Sequence, residues 1–167
     1  MEVKFFSDKY AVRKLTNVNI DEIYKLLSKN ILYYEYCPPF VTRQSIMDDM
    51  NALPQDKTME DKYYLGFHQQ EKLIAVMDLI DGYPEKGIAY IGFFMTDVSI
   101  QSKGLGTEII EGLCNYLAGE GYDSVRLAWV KGNPQAEHFW IKNRFAPIME
   151  TESNVADKVI LAERFLR

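Results

Sequence analysis

The sequence predicts a mixed α/β fold: a central sheet of about six to seven strands, with antiparallel and parallel neighbours and helices on both faces. Three observations carry this expectation. Residues 62–95 hold three apolar strand patterns joined by short turns, and a glycine-containing turn at 101–107 opens an apolar pattern with helical spacing. Strand and helix patterns then alternate to the C-terminus. The 167 residues fit one domain, 1–167, better than two.

Each element has its own signal. Residues 9–15 alternate as a strand, and Thr16 or Asn19 then caps a helix with apolar positions Ile20, Ile23, Leu26 and Leu27. Residues 33–40 read as an irregular aromatic stretch, because Pro38 and Pro39 break any helix there. Thr42 caps a short helix reaching about Leu53. Residues 62–68 form a strand, 69–71 a turn, 72–80 a longer and more buried strand, 81–87 a loop and 88–95 a third strand. Together they make an antiparallel meander. The helix after the glycine turn carries Leu105, Ile109, Ile110, Leu113 and Leu117, and Gly119 and Gly121 end it. A strand at 124–130, a helix from about Pro134 to Asn143, and strands around 145–150 and 158–166 complete the chain.

Composition narrows the function classes. Hydrophobic residues at 47% and charged residues at 26% are ordinary for a soluble globular protein. A net charge of −5 argues against nucleic acid as a partner. No apolar run approaches the ~18 residues of a membrane span, and the N-terminus lacks the apolar core of a signal peptide. Cys37 and Cys114 match no metal-ligand or redox spacing, so no metal is expected and a reducing cytoplasm is the default setting. Cys114 falls in a helical apolar pattern and reads as a small core residue.

Chemistry concentrates in Gln101-Ser102-Lys103-Gly104-Leu105-Gly106-Thr107. The first-turn amides of a helix lack intrahelical acceptors, and the helix dipole puts partial positive charge at that end. Glycines at 104 and 106 let phosphate oxygens approach the backbone, with Lys103 and the hydroxyls of Ser102 and Thr107 as further donors. The segment lacks the Gly-Lys-Ser/Thr ending of a Walker A loop. It also lacks the third glycine, and the preceding parallel βαβ context, of the dinucleotide fingerprint. Glycine turns also precede helices for steric reasons alone.

Gln-x-x-Gly-x-Gly between a strand and a helix resembles the signature of the GCN5-related N-acetyltransferase (GNAT) family. Downstream, Asn133-x-x-Ala136-x-x-Phe139-Trp140 and then Asn143-Arg144-Phe145 are similar to that family's second cofactor segment. The order of elements matches over nearly the whole chain. The resemblance implies acetyl-CoA as cosubstrate, its pyrophosphate on residues 101–107. It implies that the strands at 88–95 and 124–130 splay, and that the pantetheine arm hydrogen-bonds to the free backbone edge at Met95, Thr96 and Val98. It further implies direct attack of an amine on the thioester, with an amide near Met95 stabilising the oxyanion.

The resemblance also implies a departure. Trp140 stands where many members have a tyrosine that acts as general acid, and an indole N–H cannot serve that role. Arg144 stands where a glycine is common. A tyrosine from elsewhere (Tyr33, Tyr34 or Tyr90), a water, or no acid at all are the alternatives. His138, on the same helix as Trp140, is a further candidate. Candidate bases are Asp97, Glu35 and Asp78, with Asp81 and a water relay beside them. Tyr33, Tyr34, Glu35, Tyr36 and Phe40 form either a substrate lid with cation–π capacity or plain packing of the first helices. The acceptor expected is a primary amine of a small molecule or peptide. The other reading is a non-catalytic acyl-CoA-binding module on the same fold. The last strand at 159–162 or the sheet edge offers a place for a second subunit, and the resemblance implies that dimers are common.

Overall fold

A computed structural model describes the chain except at residues 155 and 157. Among the described residues, seven strands form one sheet: β1 (Ala11–Lys14), β2 (Lys62–Gln69), β3 (Lys72–Asp81), β4 (Ile88–Thr96), β5 (Ser124–Val130), β6 (Ala146–Thr151) and β7 (Val159–Phe165). Their spatial order is β1-β2-β3-β4-β5-β7-β6. All neighbours are antiparallel except β4 and β5, which run parallel.

The meander follows from its turns. Gln70 and Glu71 both take positive φ, 48° and 62°, which is the backbone twist a two-residue hairpin loop requires. Between β3 and β4 the register moves from Asp78↔Phe93 to Leu79↔Ile91, so Gly92 is an extra residue without a partner on β3. Such a bulge bends a strand locally and re-aims its side chains.

Among the described residues, five α-helices flank the sheet: α1 (Ile20–Leu27), α2 (Ile31–Tyr36), α3 (Arg43–Asn51), α4 (Leu105–Gly119) and α5 (Pro134–Lys142). The Thr16 amide donates to Asn19 Oδ1 at 3.0 Å just ahead of α1. Thr42 and Ser45 exchange side chain-to-backbone bonds of 3.0 and 2.9 Å at the start of α3, a reciprocal box that satisfies two orphan amides. On one face α4 buries Ile109, Ile110, Leu113 and Leu117 against Phe67, Met77, Leu79, Ile91 and Leu127. On the other, α1 and α3 bury Ile23, Leu26, Leu27, Ile46 and Met50 against Tyr64, Val76 and Met95. Each such side chain contributes roughly 1.5–3 kcal/mol when fully buried.

Two expectations need correction. Residues 31–36 form α2, not an irregular stretch. Aromatic residues are modest helix formers, but Tyr33 and Tyr34 pack against the α1–α3 side of the core, and that tertiary contact decides the conformation. The prolines act only after the helix, where Cys37 ends it. Residues 159–162 cannot pair a second subunit, because β7 is hydrogen-bonded to β5 on one side and β6 on the other. The free edges of the sheet are those of β1 and β6.

Candidate active site

The site is built by a sheet that comes apart. Pairing between β4 and β5 runs from Ile88↔Ser124 to Ile91↔Leu127 and ends there. Beyond it a cavity of about 710 Å3 is lined by residues 92–96 on one side and 128–130 on the other. That volume falls within the range of small-molecule sites.

The glycine turn closes one end of this cavity. Gly104 has φ +86°, a conformation that L side chains rarely adopt, and a Cβ there would meet nothing within 4 Å. The first intrahelical bond of α4 runs from the Glu108 amide to the Gly104 carbonyl at 3.0 Å. The amides of residues 105–107 therefore have no acceptor within the helix. Gln101, Ser102, Gly104, Gly106 and Thr107 line the cavity, and Ser102 shares the left-handed backbone at φ 62°. These features fit a pyrophosphate group: open space, a glycine backbone and unpaired helix-start amides in one place.

Not every residue of the turn takes part. Lys103 is exposed and donates from Nζ to the Ser99 carbonyl at 2.9 Å, outside the cavity lining. Leu105 packs against the α4 side of the core. Gly106, which does line the cavity, carries a second constraint: a Cβ there would stand 3.1 Å from the ring of Phe139 on α5. Gln101 is a strap, its Nε2 donating to Asn30 Oδ1 at 2.7 Å and to the Thr96 carbonyl at 3.2 Å. Asn30 belongs to no motif and carries no local sequence signal, yet it is buried and donates in turn to the Leu26 and Thr96 carbonyls.

On α5, Asn133 Oδ1 accepts the Ala136 amide at 3.2 Å and Pro134 follows in the first turn. Asn133, Ala136, Phe139 and Trp140 all line the cavity. Trp140 is buried among Phe94, Phe139 and Phe145, with ring centroids 6.0, 4.8 and 5.2 Å away. The indole is a packing element of the cavity wall.

A family model described as the acetyltransferase (GNAT) family matches residues 27–144. The chain belongs to the GNAT acetyltransferase family. An acetyltransferase from Thermus thermophilus superimposes with a TM-score of 0.74 at 16% identity, over 94% of this chain and 97% of that one. A chimera of spermidine N-acetyltransferase SpeG from Vibrio cholerae and hSSAT gives 0.71 at 17% identity, over 95% and 96%. PaiA N-acetyltransferase from Thermoplasma acidophilum, in complex with coenzyme A, gives 0.68 at 15% identity, over 93% and 98%. At these identities the likeness shows the fold. No curated protein matches the sequence.

Within this GNAT chain the predicted backbone edge divides. Met95 and Thr96 line the cavity, whereas Val98 lies in a 3-10 turn, Val98–Ile100, and is exposed. The candidate bases fare unevenly. Asp97 caps that turn, accepting the Ser99 amide at 2.8 Å, and lies 3.5 Å from Lys72 Nζ. Burial works to raise its carboxyl, but the Ser99 bonds and Lys72 outweigh it and hold the group below its usual range. Glu35 is exposed on α2, outside the cavity lining. Asp78 accepts Lys62 Nζ at 2.9 Å, and burial raises its carboxyl while Lys62 partly offsets this. It sits behind Gly92, its Oδ2 3.0 Å from where a Cβ on that glycine would stand. His138 does line the cavity, from the exposed side of α5.

Part of the cavity is walled by further aromatic side chains. Tyr33, Cys37 and Tyr90 line it, and Tyr33 meets Phe93 edge-on at 5.7 Å. Tyr34 stands behind Tyr33 at 5.0 Å and against Phe40 at 4.9 Å, outside the lining. Burial pushes the Tyr33 and Tyr90 hydroxyls and the Cys37 thiol up.

Proposed function

We propose that this chain transfers an acetyl group from acetyl-CoA to a primary amine of a small molecule or peptide, by direct attack within a ternary complex. One observation carries the reading: the cavity between the parted β4 and β5 runs from the start of α4 to the aromatic wall at Tyr33 and Phe93. It can seat both substrates at once. Ser102, Gly104, Gly106 and Thr107 would hold the pyrophosphate, and the edge at Met95 and Thr96 would pair with the pantetheine arm as an added strand does. An amide of that edge would face the developing oxyanion.

The protons go to and from water. Asp97 and Asp78 are engaged with Lys72 and Lys62, Glu35 lies off the cavity, and His138 reaches it from the exposed side of α5, so the amine loses its proton to solvent. Tyr90, its hydroxyl raised by burial, acts as a hydrogen-bond donor toward the leaving thiolate and keeps its proton, while the Tyr33 hydroxyl is engaged with the Cys37 sulfur. Both cysteines are free thiols, which supports a reducing, cytoplasmic setting. Among the described residues no helix is long and apolar enough to cross a membrane.

Trp140 favours one second reading, a domain that binds acyl-CoA without turnover. Mass spectrometry of a panel of amines incubated with acetyl-CoA separates the two. N-acetylated product in step with released CoA is the expected result. Tight CoA binding with no product from any amine would establish the binding module.

A further inference from the structure

The acceptor end of the cavity has a composition that selects among amines. It lies on the α1–α3 face of the sheet, where Phe93 packs with Tyr33. On β5 and β7, the side chains of Leu127, Trp129 and Ala162 join the core under α4. Strand alternation then places Ala128, Val159 and Leu161 on the opposite face, with Tyr90, beside the acceptor. Tyr33, Tyr90 and Phe93 thus face Ala128, Val159 and Leu161 across the cavity, and all six line it.

Charge is nearly missing from this end. Among the described residues lining the whole cavity, only Lys142 and Glu152 carry full charges, and Lys142 belongs to α5. Of the other carboxylates on this face, Glu35 on α2 and Asp49 on α3 lie outside the cavity lining, and Glu163 and Asp78 are engaged. Glu163 takes hydrogen bonds from Arg126 Nε at 3.0 Å and from the Ser124 hydroxyl. Asp78 is paired with Lys62 behind Gly92. Glu152, exposed at the rim next to β6, is the one acid among the described residues of the lining. A polyamine or aminoglycoside would bring several ammonium groups against rings and aliphatic side chains with one carboxylate to meet them. Each unmatched ammonium loses hydration without a partner.

We infer that the acceptor is a monoamine carrying an aromatic or branched apolar group, its body between the Tyr33–Phe93 wall and Leu161, with Glu152 the one carboxylate serving its charge. The inference rests on the proposed acetyltransferase reading for the placement of the two substrates. Aromatic rings accept both an apolar body and, at their faces, a cation.

Calorimetric titration of phenethylamine, spermidine and kanamycin into the full chain saturated with CoA tests it, alongside initial rates with acetyl-CoA. Phenethylamine is expected to bind at least tenfold more tightly than either polycation and to show the same preference in kcat/KM. Glu152→Gln is expected to weaken phenethylamine about fivefold while leaving neutral phenethyl alcohol unchanged, a contrast that mere structural damage would not produce. Equal or better binding of spermidine or kanamycin, or no binding of any amine, overturns the inference. Selective phenethylamine binding with no acetyl transfer to any amine leaves the inference standing and removes the acetyltransferase reading.

Discussion

Within the glycine turn, neighbouring residues do different jobs, and substitution can separate them. Gly104 holds φ +86° beside open space, so an alanine there adds strain of roughly 1–2 kcal/mol without a clash. Gly104→Ala is expected to weaken acetyl-CoA binding about tenfold by calorimetry, whereas Lys103→Ala, whose ammonium caps the Ser99 carbonyl, should stay within twofold. A large loss for Lys103→Ala would place that ammonium on the pyrophosphate instead. Asp97 gives a second contrast. As a turn cap it should matter to stability and not to proton transfer, so Asp97→Asn should lower the melting temperature. Its kcat/KM should still climb with pH as the neutral amine becomes available, and a flat profile would make Asp97 the base. The signature's position was legible in the sequence because glycine spacing before an apolar helix is a local pattern. The inward or outward aim of Lys103, Leu105 and Gln101 was not, because it depends on where Ser99, Thr96 and Asn30 stand in the fold.

Between elements, one carboxylate ties three parts of the chain together. Glu111 on α4 accepts Arg164 of β7 at 2.8 Å and Arg144, just past α5, at 2.8 Å. Hydrogen bonding from Arg164, then from Arg144, overcomes burial and holds the Glu111 carboxyl at about 2. A depressed carboxyl stabilises the fold above its unfolded pKa of roughly 4.5 and loses that contribution as pH falls toward 2. With the side chain 30% exposed, about 1–2 kcal/mol is a reasonable size after screening. Chemical denaturation of Glu111→Gln should show that loss at pH 7 and a shallower decline between pH 5 and 2 than the parent chain. Arg144 itself takes φ 67°, a left-handed conformation that explains a glycine's advantage at this position. Strands and capped helices were readable because turn residues, caps and apolar periods are written locally. The helix at 31–36 was not, since its aromatics gain their conformation from packing on the far face. The extra residue at Gly92 also escaped, because a bulge is defined by register against β3.

At the scale of the molecule, the fold works by leaving one strand pair unfinished. Six strand contacts hold the sheet together, and the parallel contact between β4 and β5 ends at Ile91↔Leu127. The freed edges and the start of α4 then face the same space. The family was legible from two motifs at their spacing, and the matched span of residues 27–144 bears this out. The aromatic and aliphatic part of the cavity was legible only in Tyr33 and Tyr90, because Ala128, Val159 and Leu161 come from separate segments that only the sheet brings beside them. The central claim is that acyl-CoA lies in this opening with its pyrophosphate on α4. Calorimetric titration of CoA against pantetheine, which lacks the pyrophosphate and nucleotide, tests it most directly. Two or more charge-assisted bonds to the helix-start amides correspond to a roughly hundredfold or greater advantage for CoA. An affinity for pantetheine equal to that for CoA would contradict the claim.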